Sequence, residues 1–118
     1  MLLCVDDNPG VLEYERALFE RSGYMVVTAA SPREGLKLAL MSKFDAVLLD
    51  YRMPEMDGHQ FASEMRRIRP EIPVVMVSSE EMIPEETRKL VDAVVTKNEA
   101  VRELLPTVTR LCNRLSPA

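Results

Sequence analysis

Five short apolar runs separated by stretches of helical spacing set the strongest limit on how this chain can fold. The runs are "LLCV" (Leu2 to Val5), "YMVVTA" (Tyr24 to Ala29), "AVLL" (Ala46 to Leu49), "PVVMV" (Pro73 to Val77) and "AVVT" (Ala93 to Thr96). The first, third and fourth are continuous rather than alternating, the pattern of strands covered on both faces in a parallel sheet. Helix start signals lie between the runs. Asn8 followed by Pro9 reads as a cap and first turn, with Val11, Tyr14 and Leu18 as the apolar stripe. "SPRE" (Ser31 to Glu34) reads as a capping box leading into Leu36, Ala39 and Leu40. Asp57 is placed to cap a helix carrying Phe61, Met65 and Ile68. The last helix carries the clearest stripe: Val101, Leu104, Leu105, Val108, Leu111, Cys112 and Leu115. Five β-α repeats predict a doubly wound parallel sheet with helices on both faces. The fourth helix is the weak one. Pro84 limits it to a short segment from about Pro84 to Leu90, with the proline in its first turn.

At 118 residues the expectation is one domain over 1–118, with no repeat, low-complexity stretch or linker to divide it. The chain carries 15 basic and 19 acidic residues, net −4, and its basic side chains are scattered apart from "RRIR" at Arg66 to Arg69. A phosphate backbone needs a basic face, so direct nucleic-acid binding is not expected. No apolar run reaches the roughly 20 residues of a membrane span, and the N-terminus has no basic region or cleavage site. A cytoplasmic location is expected, with no membrane partner. Cys4 and Cys112 then read as two lone thiols.

The polar residues after the runs carry the functional signal. Asp6 and Asp7 follow the first run, Asp50 the third, Ser78 the fourth and Lys97 the fifth. In an open α/β sheet, ligands bind at the carboxyl ends of the strands near the point where strand order reverses, so these residues converge on one edge. Three carboxylates at about 4 Å, with an effective dielectric near 20, repel on the order of 4 kcal/mol per pair. A hard cation such as Mg²⁺ offsets that repulsion through oxygen ligands, and Lys97 adds a second positive charge. A phosphoryl group at Asp50 would meet the cation, the Lys97 ammonium and the Ser78 hydroxyl, the charge-neutralising set that phosphoryl transfer requires.

"VDDN", "LLDYRMPEMDG", "PVVMVSS" and "VVTK" together resemble the receiver domain of two-component response regulators, in order and spacing over nearly the whole chain. The pattern D-x-x-M-P-x-M-D-G is the specific part. The resemblance implies a flavodoxin-like (βα)5 sandwich with strand order 2-1-3-4-5 and, here, a shortened fourth helix. It implies that Asp50 accepts a phosphoryl group from a histidine kinase or a histidine phosphotransfer protein. Asp7, Asp50 and the backbone carbonyl of Arg52 would bind Mg²⁺, with Asp6 acting through water, and Ser78 and Lys97 would contact the phosphoryl oxygens. Phosphorylation would switch binding to an output partner, and a homodimer is a further assembly the family uses. Such a domain assists phosphoryl transfer to itself without turning over an external substrate, so it is not an enzyme in the usual sense.

The chain departs from the family around its fifth strand. Asn98 follows Lys97 where Lys-Pro with a cis peptide is usual; a cis bond without proline costs about 3–4 kcal/mol, so a trans bond is expected. Val94 stands where a Tyr or Phe switch residue is common. Pro106 falls inside the last helical stripe and suggests a late start or a bend there. Ser79 sits where Ala is usual and narrows access to Asp50, while Arg52 and Glu80 flank the site as modulating residues that would pair over the phosphoryl group. His59 reads as a solvated helix residue, neither metal ligand nor phosphate carrier. The alternatives are a receiver-like interaction module that works without phosphate, and a small phosphohydrolase. The hydrolase usually needs a second acid two residues after its nucleophile, where this chain has Arg52.

Overall fold

A computed structural model describes residues 1–79 and 83–115, with side chains through Asn113. Ten elements alternate along the chain: β1 (Leu2–Val5), α1 (Pro9–Arg21), β2 (Val26–Ala29), α2 (Pro32–Met41), β3 (Ala46–Asp50), α3 (Gly58–Ile68), β4 (Val74–Ser78), α4 (Glu85–Arg88), β5 (Ala93–Thr96) and α5 (Ala100–Leu115). All strand pairs are parallel, and the sheet runs β2-β1-β3-β4-β5, the doubly wound order expected. β1, β3 and β4 are buried at every position, as their unbroken apolar runs predict. β2 begins two residues later than its run suggests, and β4 extends one residue past it to include Ser78.

Strand alternation sorts the core into two layers. Leu3, Val5, Val47, Leu49, Val74 and Met76 point to the face covered by α2 and α3, meeting Ala39, Phe61 and Met65. Leu2, Cys4, Leu48, Val75 and Val77 point to the other face, under α1 and α5, meeting Leu12, Phe19, Leu104 and Val108. No helix among the described residues is long and apolar enough to cross a membrane, and neither Cys4 nor Cys112 is in a disulfide.

Local sequence explains the helix ends. The Asn8 side chain accepts from the Gly10 and Val11 amides, with Pro9 in the first turn. Ser31 accepts from the Glu34 amide, but the Glu34 carboxylate reaches back to Ala30 rather than to the cap residue, so the box is incomplete. The complete capping box is Asp57 with Gln60. α1 ends in a Schellman turn: the Gly23 amide donates to Glu20 and the Tyr24 amide to Phe19, with Gly23 at φ +94°, where a side chain would be strained. Tyr24 then bonds Thr109 at 3.1 Å, tying this corner to α5.

Three expectations are corrected. α1 buries Leu12, Glu15 and Phe19, one position out of phase with Val11, Tyr14 and Leu18. Its inner stripe contains a carboxylate, which a count of apolar positions cannot credit. α5 runs from Ala100 through Pro106 to Leu115, but Val101, the first residue of its expected stripe, is 75 % exposed; the side chain of Leu115 lies outside the described residues. α4 has four residues, with Pro84 as its cap rather than in its first turn. On the edge strand β2, the Arg16 guanidinium donates to the Val26 carbonyl at 3.2 Å and to the Thr28 hydroxyl at 3.3 Å.

Candidate functional site

The carboxyl ends of β1 and β3 place three acids side by side. Asp6 follows β1 and is 2 % exposed, Asp7 beside it is exposed, and Asp50 closes β3 at 7 % exposed. One carboxylate oxygen from each lies within 4.8 Å of the others. Backbone donors hold the pair that is buried: the Asn8 amide donates to Asp6 Oδ1 at 2.9 Å, and the Arg52 amide to Asp50 Oδ1 at 3.4 Å. β3 can end on a charge because its neighbours supply order around it. Asp50 is in register with Val77, and the Tyr51 amide donates to the Val77 carbonyl at 3.1 Å.

The loop after Asp50 is tightly built. The Met56 amide donates to the Pro54 carbonyl at 2.8 Å around Glu55, which sits at φ +70°, a γ-turn conformation that is strained for a residue with a side chain. The Gly58 amide donates to the Tyr51 carbonyl at 2.7 Å. A Cβ on Gly58 would come within 2.8 Å of the Tyr51 Cα and 2.9 Å of Met76, so the "DG" of the motif is a packing requirement.

Burial is the largest influence on both inner acids. It pushes Asp6 up to about 6, assisted by the Asp50 and Asp7 charges and opposed by the Asn8 amide and Lys97. It also raises Asp50, against the Lys97 ammonium and the Arg52 amide. Such a cluster is short of positive charge. Its hard oxygen donors, crowded and partly desolvated, fit a small divalent cation of the Mg²⁺ type.

Opposite the acids, β4 and β5 supply the remaining groups. Ser78 ends β4 at 1 % exposed, and its carbonyl accepts from the Lys97 amide at 2.8 Å. Lys97 is exposed, with its ammonium 3.9 Å from Asp50 Oδ1. The following turn is held by Glu99, whose carboxylate accepts from the Thr96 hydroxyl at 2.8 Å and the Thr96 amide at 3.3 Å. No cis peptide occurs among the described residues, so Lys97–Asn98 is trans, as expected without proline. Ser79 is exposed beside Ser78. Arg52 is exposed, with its guanidinium 6.0 Å from the Tyr51 ring centroid. Glu80 lies outside the described residues, and so does any pairing with Arg52. Val94 is half-buried and packs against the α2/α3 core.

His59 differs from its reading as a solvated residue. It is half-buried, and its Nδ1 lies 2.8 Å from the hydroxyl of Thr87, which is 1 % exposed. That bond ties α3 to the short α4. Sequence reasoning also passed over Glu15. It is 4 % exposed, on the inner face of α1, and accepts a hydrogen bond from the Cys4 thiol. Burial above all, then the Asp6 charge, pushes its carboxyl up to about 8, and the charges of Asp50 and Lys97 reach it too. The available signal was the i, i+3, i+7 spacing of Leu12, Glu15 and Phe19, legible once an acid is admitted to a buried stripe.

Comparison with known proteins fits this geometry. The family profile of the response regulator receiver domain matches residues 2–109. The transcriptional regulatory protein GlrR of Escherichia coli is 42% identical over 84 residues, covering 71% of this chain and 19% of that protein. The response regulator MprA of Mycolicibacterium vanbaalenii is 31% identical over 119 residues, covering 98% of this chain and 52% of that protein. The chain thus spans about half or less of the length of these curated relatives. Among solved structures, the receiver domain of the Francisella response regulator 1452 superposes with a TM-score of 0.90 at 25% identity, covering 98% of both chains. TrrA of Thermotoga maritima, solved in complex with Mg²⁺ and BeF, gives 0.88 at 27% identity, covering 93% of this chain and 96% of that one. By its profile match, its strand order and the acids at its sheet edge, the chain belongs to the response regulator receiver domain family.

Proposed function

We propose that this chain is a phosphorylation-controlled switch in which Asp50 accepts a phosphoryl group from a histidine kinase or a histidine phosphotransfer protein. The observation that carries this reading is the placement of a buried Asp50 within 4.8 Å of two further acids and 3.9 Å from the Lys97 ammonium. Asp7, Asp50 and the Arg52 carbonyl would hold Mg²⁺, with Asp6 acting through water; the cation, when bound, neutralises charge on the phosphoryl oxygens. An Asp50 carboxylate oxygen attacks phosphorus, forming the acyl phosphate as the bond to the donor nitrogen breaks. Lys97 and the Ser78 hydroxyl then contact the phosphoryl oxygens, so charge that was shared with Asp50 is drawn to its phosphate. The new contacts bias a two-state equilibrium of the β4–β5 side and change partner binding. Ser79 and Arg52 border the approach to Asp50 and set how readily donor and water reach it. We take residues 1–118 as one such unit, working in the cytoplasm on itself rather than on an external substrate, with its output through another protein or a second copy.

The test uses Mg²⁺ with acetyl phosphate, read by intact mass, and Mg²⁺ with beryllofluoride, read by amide NMR shifts. A single phosphoryl adduct that Asp50→Asn abolishes, with shifts extending from Ser78 to Ala100, is the expected result. One observation favours a second reading, an interaction module independent of phosphate: Val94 has no hydroxyl to reposition and is packed into the core. An adduct whose NMR shifts stop at the acids would support that module. No adduct at all would overturn the switch. Phospho-Asp50 lifetime in Arg52→Ala tests the modulating role; an unchanged lifetime removes it.

A further inference from the structure

Between α1 and α5 lies a cavity of about 400 Å³ whose lining includes Val11, Tyr14, Glu15, Val77, Val101 and Leu104, with Lys97 also on its wall. That volume falls in the range of about 300–1,000 Å³ typical of small-molecule sites, which join apolar walls to a few polar groups. The walls here are chiefly aliphatic. Glu15 is 96 % removed from solvent yet faces this space, while Val101 and Tyr14 at its edge are 75 % and 38 % exposed. An apolar residue in the first turn of an amphipathic helix would ordinarily be covered, and Val101 is not.

We propose that this cavity is a binding site for a small organic cation, an amine or amidine on a compact apolar body, with its charge against Glu15 and its body against Val11, Val77, Val101 and Leu104. Charge complementarity selects the class. The buried carboxyl has a thiol as its hydrogen-bond donor, the Lys97 charge acts on it only as a minor influence, and desolvation has made its charged form costly. A cation entering the cavity replaces the missing counter-charge, with a charge-assisted hydrogen bond in a low-dielectric setting. The Tyr14 ring adds a face of the kind cations prefer. Lys97 does not fill this role. Its ammonium is turned to Asp50, 3.9 Å away, leaving its aliphatic stem along the cavity wall. Once Glu15 is ionised, anions are repelled and neutral apolar bodies leave its charge uncompensated.

The proposal does not rest on phosphorylation of Asp50 and is tested on the unphosphorylated chain. Benzylamine, benzyl alcohol and benzoate are titrated separately just above pH 8, where Glu15 with its value of about 8 is chiefly ionised and the amine still charged, while the methyl signals of Val11, Val77, Val101 and Leu104 are followed by NMR. Benzylamine should saturate these shifts at a concentration about tenfold or more below benzyl alcohol, the margin of a hydrogen bond to a charged partner, and benzoate should be the weakest. Glu15→Gln, which keeps the shape, should bring amine and alcohol to similar affinity. Should that variant fail to fold, the wild-type protein still decides the matter: nuclear Overhauser contacts from the benzylamine ring must fall on those four methyl-bearing residues. Ring contacts elsewhere, no saturable benzylamine binding, equal binding of amine and alcohol to the wild type, or an amine preference that survives Glu15→Gln each overturn the proposal.

Discussion

The two halves of the site are built to different standards. Asp6 and Asp50 are buried and bonded to backbone amides, and the loop after Asp50 closes on a buried glycine with no room for a Cβ. Across the cleft, Lys97 is exposed and reaches Asp50 only at 3.9 Å, α4 is one turn long, and Val101 stands in solvent. The contrast teaches that the acids are held by packing, whereas the lysine acts by charge alone. Packing errors should therefore be costly in the first half, and charge errors in the second.

The largest expected effect is on chemistry. Lys97→Ala should slow acetyl-phosphate labelling of Asp50 by about 10²–10³, the cost of removing one preorganised charge-stabilising donor, while leaving urea stability within about 0.5 kcal/mol, as for an ordinary surface change. A large loss of stability instead would erase the distinction between the halves. Gly58→Ala should do the opposite, costing about 1–3 kcal/mol through overpacking against Tyr51 and Met76, whereas Asn98→Ala in the exposed turn should stay within about 0.5 kcal/mol. Equal costs for these two would break the comparison.

The pH dependence of folding gives a finer probe. Glu15 and Asp6 have folded values raised to about 8 and about 6 from ordinary carboxylate values. An acid raised in the folded state binds more protons there than in the unfolded chain. Its contribution is intact below the unfolded value, and stability falls as pH rises through the window up to the folded value. Urea stability should therefore decline from about pH 4.5 to 8, and Glu15→Gln should flatten the upper part of that decline. An unchanged slope would mean that Glu15 is ionised in the folded protein. A more local effect is expected where α3 meets α4: Thr87→Val, which removes the partner of His59, should cost about 1 kcal/mol and speed amide exchange in α4. Unaltered exchange would show that α4 is held by its other contacts.

Much of this was legible in the sequence, for physical reasons particular to certain residues. Parallel strands covered on both faces must be apolar throughout, so β1, β3 and β4 announced themselves. Asn8, Ser31 and Asp57 marked helix starts because amides at a helix N-terminus need side-chain acceptors. Asp6, Asp7, Asp50 and Lys97 could be brought to one edge by topology alone. What stayed hidden depends on contacts between distant segments. Glu15 looks like any helical glutamate until Cys4 and the cavity are in place. His59 lacks a partner pattern nearby because Thr87 is 28 residues away. Val101 fits the stripe of α5, but the turn fixed by Thr96 and Glu99 sets where that helix begins, and its first turn stands clear of the sheet.

One contact far from the site bears on how the protein behaves in concentrated solution. At the two ends of β2 the carbonyls of Met25 and Ala29 accept from the amides of Leu2 and Asp6, so by strand alternation that of Val26 faces outward along an unpaired border of the sheet. An unpaired border is a template on which another chain can add a strand. The Arg16 guanidinium already occupies that outward carbonyl and brings a positive charge across it. Removing it with Arg16→Ala would open a docking strip for a sixth strand, and self-association rising with protein concentration would be the visible result.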